Sequence, residues 1–123
     1  MNLLEEVARH LEFEGLGRTG EKCDLFYGVM PPEPDICLSV LALDLGAPGR
    51  EGRIQILLRD LNPRALMERS EELVRRLDGF EGYLGGCLSL ASLSLLSGPR
   101  GMGSDERRRC LCAVHFRILR CGI

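Results

Sequence analysis

Residues 53–77 read RIQILLRDLNPRALMERSEELVRRL, and this stretch carries a strand, a stop and a helix in direct succession. Ile54, Ile56 and Leu58 alternate with Arg53, Gln55 and Arg59, the period of two expected of a strand with one buried face. Asn62 then offers a side-chain oxygen to the unpaired N–H groups of a helix start. Pro63 falls at the first helical position, where a missing donor does no harm. Leu66, Ser70, Leu73, Val74 and Leu77 form one stripe at helical spacing. Arg64/Glu68, Glu71/Arg75 and Glu72/Arg76 lie four residues apart on the opposite face, where each pair adds about 0.2–0.5 kcal/mol. Gly79 ends the helix.

Upstream, residues 45–51 contain Gly46, Pro48 and Gly49 and read as a hairpin-type turn. It follows an apolar strand over residues 36–43, whose two apolar faces suggest cover on both sides. Residues 29–35 hold Pro31, Pro32 and Pro34, which remove three backbone donors and leave a stiff extended loop. Residues 24–28 read as a short strand. The chain opens with an amphipathic helix carrying Leu3, Leu4, Val7, Ala8 and Leu11, with Asn2 as its cap, Glu5 three residues on, and Gly15 and Gly17 as its stop.

Downstream, residues 87–97 alternate Leu and Ser, but Leu88 and Leu90 are out of phase with Leu93 and Leu95. One strand keeping both sets inward needs an extra residue, so a β-bulge is predicted near Ala91 and Ser92. Residues 98–104 are rich in glycine and read as a mobile loop. Residues 107–120 form the last strand, with Cys110, Cys112, Val114, Phe116 and Ile118 on one face. The order α-β-β-β-α-β-β implies an α+β fold: one domain over residues 1–123, a mostly antiparallel sheet with two helices packed on it.

The 123 residues are 45% hydrophobic and 28% charged, enough apolar content for a core without disulfide or metal staples. Sixteen basic residues against 18 acidic ones give a net charge of −2, which argues against a dedicated nucleic-acid binder. Lys22 is the single lysine; the other basic residues are arginines, suited to planar, bidentate contacts. No spanning segment is visible, and the acidic start Leu3-Leu4-Glu5-Glu6 is no secretory signal. The chain therefore reads as cytoplasmic, with its six cysteines kept as thiols.

Motifs with a chemical reading do not survive their structural requirements. Gly15-Leu16-Gly17-Arg18-Thr19-Gly20 matches G-x-G-x-x-G, but a helix precedes it and a strand follows, the reverse of a dinucleotide site. Cys110 and Cys112 point to one side of their strand while His115 and Cys121 point to the other, so no tetrahedral metal site gathers there. Adjacent same-face cysteines on a strand are also poorly placed for a disulfide. The two histidines, His10 and His115, have no Ser and acid arranged around them as a nucleophilic triad. No enzymatic activity, cofactor or metal is expected. Arg107, Arg108 and Arg109 beside Arg100 are the one basic concentration, and no clustered aromatics accompany them to stack bases. The exposed loops suit an assembly protein.

Several stretches together carry a resemblance over nearly the whole chain. They are the opening helix, Leu25-Phe26-Tyr27-Gly28-Val29-Met30-Pro31, Pro34-Asp35 leading into a strand, Ile54-Gln55-Ile56-Leu57-Leu58-Arg59, and the helix ending Arg76-Leu77-Asp78-Gly79. Residues 95–99 before the glycine-rich segment complete the set. The chain resembles the small minor capsid or tail-terminator proteins of long-tailed phages and prophages of Gram-positive bacteria; its six cysteines and its arginine-heavy charge are unusual for that group.

The resemblance implies a virion-assembly protein without enzymatic activity. It would form a hexameric homo-oligomer that closes on the head-proximal end of the tail tube, stops its polymerisation and takes part in head–tail joining. The implied partners are further copies of itself, the tail-tube protein and a head-completion or neck protein, with DNA passing through a channel without specific binding. The host cytoplasm during assembly and the neck of the virion are its implied locations. A closed ring needs two different complementary surfaces. One is expected on the strand over residues 53–60 and the preceding turn, the other on the charged face of the second helix or on the last strand. Candidate contact residues are Met30, Pro31, Glu33, Asp35, Arg50, Arg53, Arg59, Arg100, Met102, Arg107 and Arg109, with the loops over residues 30–35 and 98–105 ordering only on contact. An adaptor or regulatory domain of unrelated origin is the alternative.

Overall fold

The structure is a computed structural model, and it describes residues 2–45 and 51–121. The elements are α1 (Leu3–Phe13), β1 (Leu25–Tyr27), β2 (Cys37–Asp44), β3 (Glu51–Asp60), α2 (Pro63–Leu77), β4 (Glu81–Tyr83), a 3₁₀ turn (Leu84–Gly86), β5 (Leu90–Ser104) and β6 (Cys110–Arg120). Six strands form one sheet in the order β1-β2-β3-β6-β5-β4, antiparallel except for the β1–β2 pair. This is the α+β fold expected from the sequence, with one short strand, β4, added between the second helix and the last hairpin.

Both helices begin and end by local rules. Asn2 accepts the Glu5 N–H at 2.8 Å, and Asn62 accepts those of Arg64 and Ala65 at 2.8 and 3.1 Å. Gly15, at φ +78°, closes α1: its N–H reaches the Glu12 carbonyl while the Leu16 N–H reaches that of Leu11. This paired bonding satisfies the last carbonyls of the helix and folds Leu16 back onto the core.

The helices lie on one face of the sheet. Leu3, Val7 and Leu11 of α1 and Leu66, Leu73 and Leu77 of α2 pack over Leu38, Val40, Ile54, Ile56, Leu58, Leu93, Val114, Phe116 and Ile118. The even-numbered face of β6, Cys112 included, is thus the core face, as its pattern requires. Ile54, Ile56 and Phe116 are fully buried, with Phe116 between Ile54 of β3 and Leu95 of β5.

Three expectations are corrected. The register of β5 on β6 is continuous through Ala91, Ser92 and Leu93, so no bulge lies there. The apparent change of phase arises because Leu88 precedes the strand and packs from the 3₁₀ turn, while Leu90 points outward. The register shifts come later, between Leu95 and Ser97 and on either side of Arg100-Gly101. Residues 98–104 are the second half of β5 rather than a loop, and β6 begins at Cys110 rather than at residue 107. Residues 46–50 of the hairpin-type turn, Arg50 included, lie outside the described residues, and Glu51 already belongs to β3.

Candidate interaction surface

The face of the sheet opposite the helices is covered only in part. Register places Cys37 beside Arg59, Ser39 beside Leu57, and Leu41 beside Gln55; β6 then sets Leu111, Ala113 and His115 in line with Arg59, Leu57 and Gln55. Over the first of these rows runs the proline-rich segment.

Residues 29–35 form a strap held on that face by buried polar side chains. Arg59, only 3% exposed, donates to the carbonyls of Pro31 at 2.7 Å and Asp35 at 3.3 Å, and also to that of Pro34. Arg109, 6% exposed, donates to the Pro32 carbonyl and lies 3.4 Å from the Asp35 carboxylate. Ser39 donates its hydroxyl to the Val29 carbonyl, and the Cys37 thiol meets the Met30 thioether at 3.6 Å. Prolines make this arrangement possible: they remove donors and present carbonyls, and guanidinium groups supply donors in return. Burial pushes the Cys37 thiol above its ordinary range, against the pull of nearby arginines, so it stays protonated and apolar.

Asp105 holds Arg109 in turn. It accepts the Arg109 and Arg107 backbone N–H groups at 3.0 and 2.9 Å and the Arg109 Nε at 2.8 Å. The backbone bond from Arg109 is the largest of the influences that hold its carboxyl below the usual range. The turn after β5 is therefore built to aim Arg109 at the strap, and Arg108 takes the left-handed conformation, at φ +60°, that completes it.

These contacts sort the residues expected at a partner surface. Arg59 and Arg109 are internal, and their guanidinium groups are occupied by the strap; Pro31 and Asp35 are half-buried residues of the strap itself. The strap thus needs no partner to order it. Glu33 and Arg107 are exposed and pair with each other across the strap edge. Arg53 is exposed and lies 3.6 Å from Asp44. Arg100 and Met102 are exposed on the outer half of β5. A further consequence concerns β3 and β6: each has a strand on both sides, so only their bare face, not an edge, is open to contact.

Beyond the strap no element among the described residues lies over the face. Arg53 and Arg117 are cross-strand neighbours, a like-charge pair that a sheet surface disfavours, and each is flanked by a carboxylate, Asp44 for Arg53 and Glu51 at 3.5 Å for Arg117. Leu119 stands on this face, 41% exposed, while Leu43, Leu96 and Met102, at the register shifts of β2 and β5, are 43–52% exposed. Sequence reasoning missed Leu96 and Leu119, because outward leucines in a strand look like core residues until the register is known.

On the helix side, His10 is a second buried polar site. Its Nδ1 accepts the Gly85 N–H at 2.9 Å, its ring lies 4.3 Å from that of Phe80, and Nε2 has no hydrogen-bond partner among the described residues. Burial lowers its pKa, opposed by Glu14, whose carboxylate is 3.7 Å away. Glu6, also buried, accepts from the Ser89 N–H and hydroxyl and pairs with Arg120 at 3.5 Å. Both sites tie α1 to the segment after α2. No helix among the described residues is long and apolar enough to cross a membrane.

No family model matches the chain, and no curated protein sequence matches it.

Proposed function

We propose that this chain is a structural subunit of phage or prophage morphogenesis, a ring-forming tail terminator or head–tail joining minor capsid protein that caps the tail tube and contacts the neck. The observation that supports this reading most is the one-sided cover of the sheet. Two helices bury one face, the strap closes a corner of the other, and leucines and arginines stand on the remainder. A small protein that keeps such a surface uses it to meet another protein. The resemblance described above supplies the particular setting.

In this reading copies close head to tail into a hexameric ring, the tail-tube protein meets one side and a head-completion or neck protein the other. DNA traverses the channel without specific binding, a condition that a chain of net charge −2 suits better than a basic one. Assembly takes place in the bacterial host cytoplasm, and the protein remains at the top of the tail. Its function is fit between surfaces, with no bond made or broken.

Removing the gene from a particle-producing strain tests the proposal. Tubes of uncontrolled length and unjoined heads are expected in electron micrographs of the lysate. Tubes of unchanged length on normally joined heads would contradict it.

A further inference from the structure

The segment over residues 84–89, between β4 and β5, is tied to α1 by two buried side chains of the helix. His10, 1% exposed, accepts the Gly85 N–H through Nδ1 at 2.9 Å, and Glu6, 7% exposed, accepts the Ser89 N–H and hydroxyl at 3.2 and 2.7 Å. Other backbone bonds close the segment on itself: the Leu84 N–H reaches the Ser89 carbonyl and the Leu88 N–H that of Leu84, both at 2.9 Å. Leu84 is its one fully buried side chain. Gly86 passes so close to the helix that an added Cβ would stand 3.2 Å from the Phe13 ring.

The bond to Gly85 sets the state of the His10 ring. Because Nδ1 accepts, the imidazole is neutral and carries its proton on Nε2, which has no hydrogen-bond partner among the described residues. A second proton has to enter at Nδ1, where it would face the Gly85 N–H, donor against donor. Protonation and the Gly85 bond are therefore mutually exclusive. Glu14, 3.7 Å from Nε2, attracts the charged form, while burial opposes it and prevails, so the bond is made at neutral pH and challenged on acidification.

The charged surroundings come from four elements. On α1, Glu6 and Glu14 lie one turn to either side of His10, and Arg9 is half-exposed, 3.9 Å from Glu5. α2 brings Arg76, 3.7 Å from Glu14, and β6 brings Arg120, 3.5 Å from Glu6. The segment after α2 presents the Phe80 ring; on either side of it Asp78 accepts the Leu95 N–H and Glu81 is exposed.

We infer that residues 84–89 are an acid-released latch: a proton on Nδ1 of His10 displaces the Gly85 N–H and lets the segment leave α1, uncovering Leu84, while the sheet of β2, β3 and β6 keeps its fold. The register of those three strands uses no residue of the latch. One proton drives the release, so each pH step of one below the folded pKa favours the open form by up to about tenfold. The inference does not depend on the proposed assembly role.

Nuclear magnetic resonance of the isotope-labelled full chain, titrated from about pH 7.5 to about 4.5, tests this. The His10 ring signals give the midpoint, and the amide signals of residues 84–89 are expected to change with that same midpoint while the methyl signals of Ile54, Ile56 and Leu58 stay native. Amide protection over residues 84–89, corrected for the intrinsic pH dependence of exchange, should fall by at least about tenfold across the range. His10→Gln offers an amide oxygen to the Gly85 N–H and does not titrate, so it should hold the latch closed throughout. Glu14→Gln keeps the bond but removes the charge that favours the proton, and should move the midpoint to lower pH by about 0.5, a readout that stands if His10→Gln fails to fold. Titration of His10 with no change over residues 84–89, a transition that persists unaltered in His10→Gln, a midpoint unmoved in Glu14→Gln, or loss of the whole fold in the same step would overturn the inference.

Discussion

Two segments of this chain both lack a core-forming pattern and meet opposite fates. Residues 29–35 and residues 98–104 are both poor in core-forming side chains, both rich in proline or glycine, and each contains a cis X-Pro bond. The first is a strap fastened across the sheet by Arg59, Arg109 and Ser39. The second is strand, continuing β5 with three shifts of register and one unfilled edge. The difference lies in which backbone groups find partners. The strap's carbonyls are taken by side chains from distant parts of the chain, whereas the second half of β5 is held from one side by β6. Composition says only that a segment lacks a core-forming pattern; it does not say whether the backbone will be pinned, paired or left free.

The largest expected effect comes from unpinning the strap. Arg59→Met fills the space but strips the Pro31, Pro34 and Asp35 carbonyls of their donor, a loss of about 3 kcal/mol in stability measured by urea unfolding. Hydrogen exchange in residues 35–39 should accelerate more than in β6. An unchanged midpoint would mean that the strap is held by something other than this guanidinium.

Next in size is a probe of the strand reading. Gly98 sits at φ +98°, and a Cβ there would lie 2.6 Å from the Ala113 carbonyl oxygen, so Gly98→Ala should lower stability by about 2 kcal/mol. Gly103, at φ +82° with open space around it, should lose about 1 kcal/mol on the same substitution. Gly101 has neither a positive φ nor a neighbour within 4 Å, and Gly101→Ala should stay within about 0.5 kcal/mol of the parent. Equal effects at the three positions in thermal melts would restore the loop reading of residues 98–104.

The smallest effect is a pH dependence arising outside both segments, which serves as a reference for them. His10 is neutral in the fold, with its pKa below the ordinary 6.5, chiefly through burial. The unfolded chain then binds the extra proton first as pH falls. The contribution of His10 is therefore fully present above about pH 6.5 and is lost progressively as pH drops toward the lower folded value. Glu14, 3.7 Å from the ring and itself 3.7 Å from Arg76, is unchanged in His10→Gln. Unfolding midpoints measured from pH 7.5 to 5 should fall less steeply in that variant than in the parent; parallel curves would remove His10 as the cause.

What was legible in the sequence follows the range of each interaction. The Asn2 and Asn62 caps, the Gly15 stop, the α2 stripe and the inward face of β6 depend on residues within a turn or two of one another, and all appear as read. β4 was not legible, because Glu81-Gly82-Tyr83 has no pattern of its own and becomes a strand only beside Leu90, Ala91 and Ser92. Arg59 and Arg109 were read as surface residues because their acceptors in the strap lie 24 to 28 and 74 to 77 positions away along the chain. The bare face, by contrast, was partly visible as Arg53 and Gln55 opposite a clear core face, while Arg59, read with them, lies beneath the strap.

The most direct test of the proposed role is electron microscopy of the purified protein mixed with tail-tube subunits. Closed rings seated on one end of each tube, with growth arrested at that end, are expected. Tubes that lengthen from both ends with no added density would contradict the assignment.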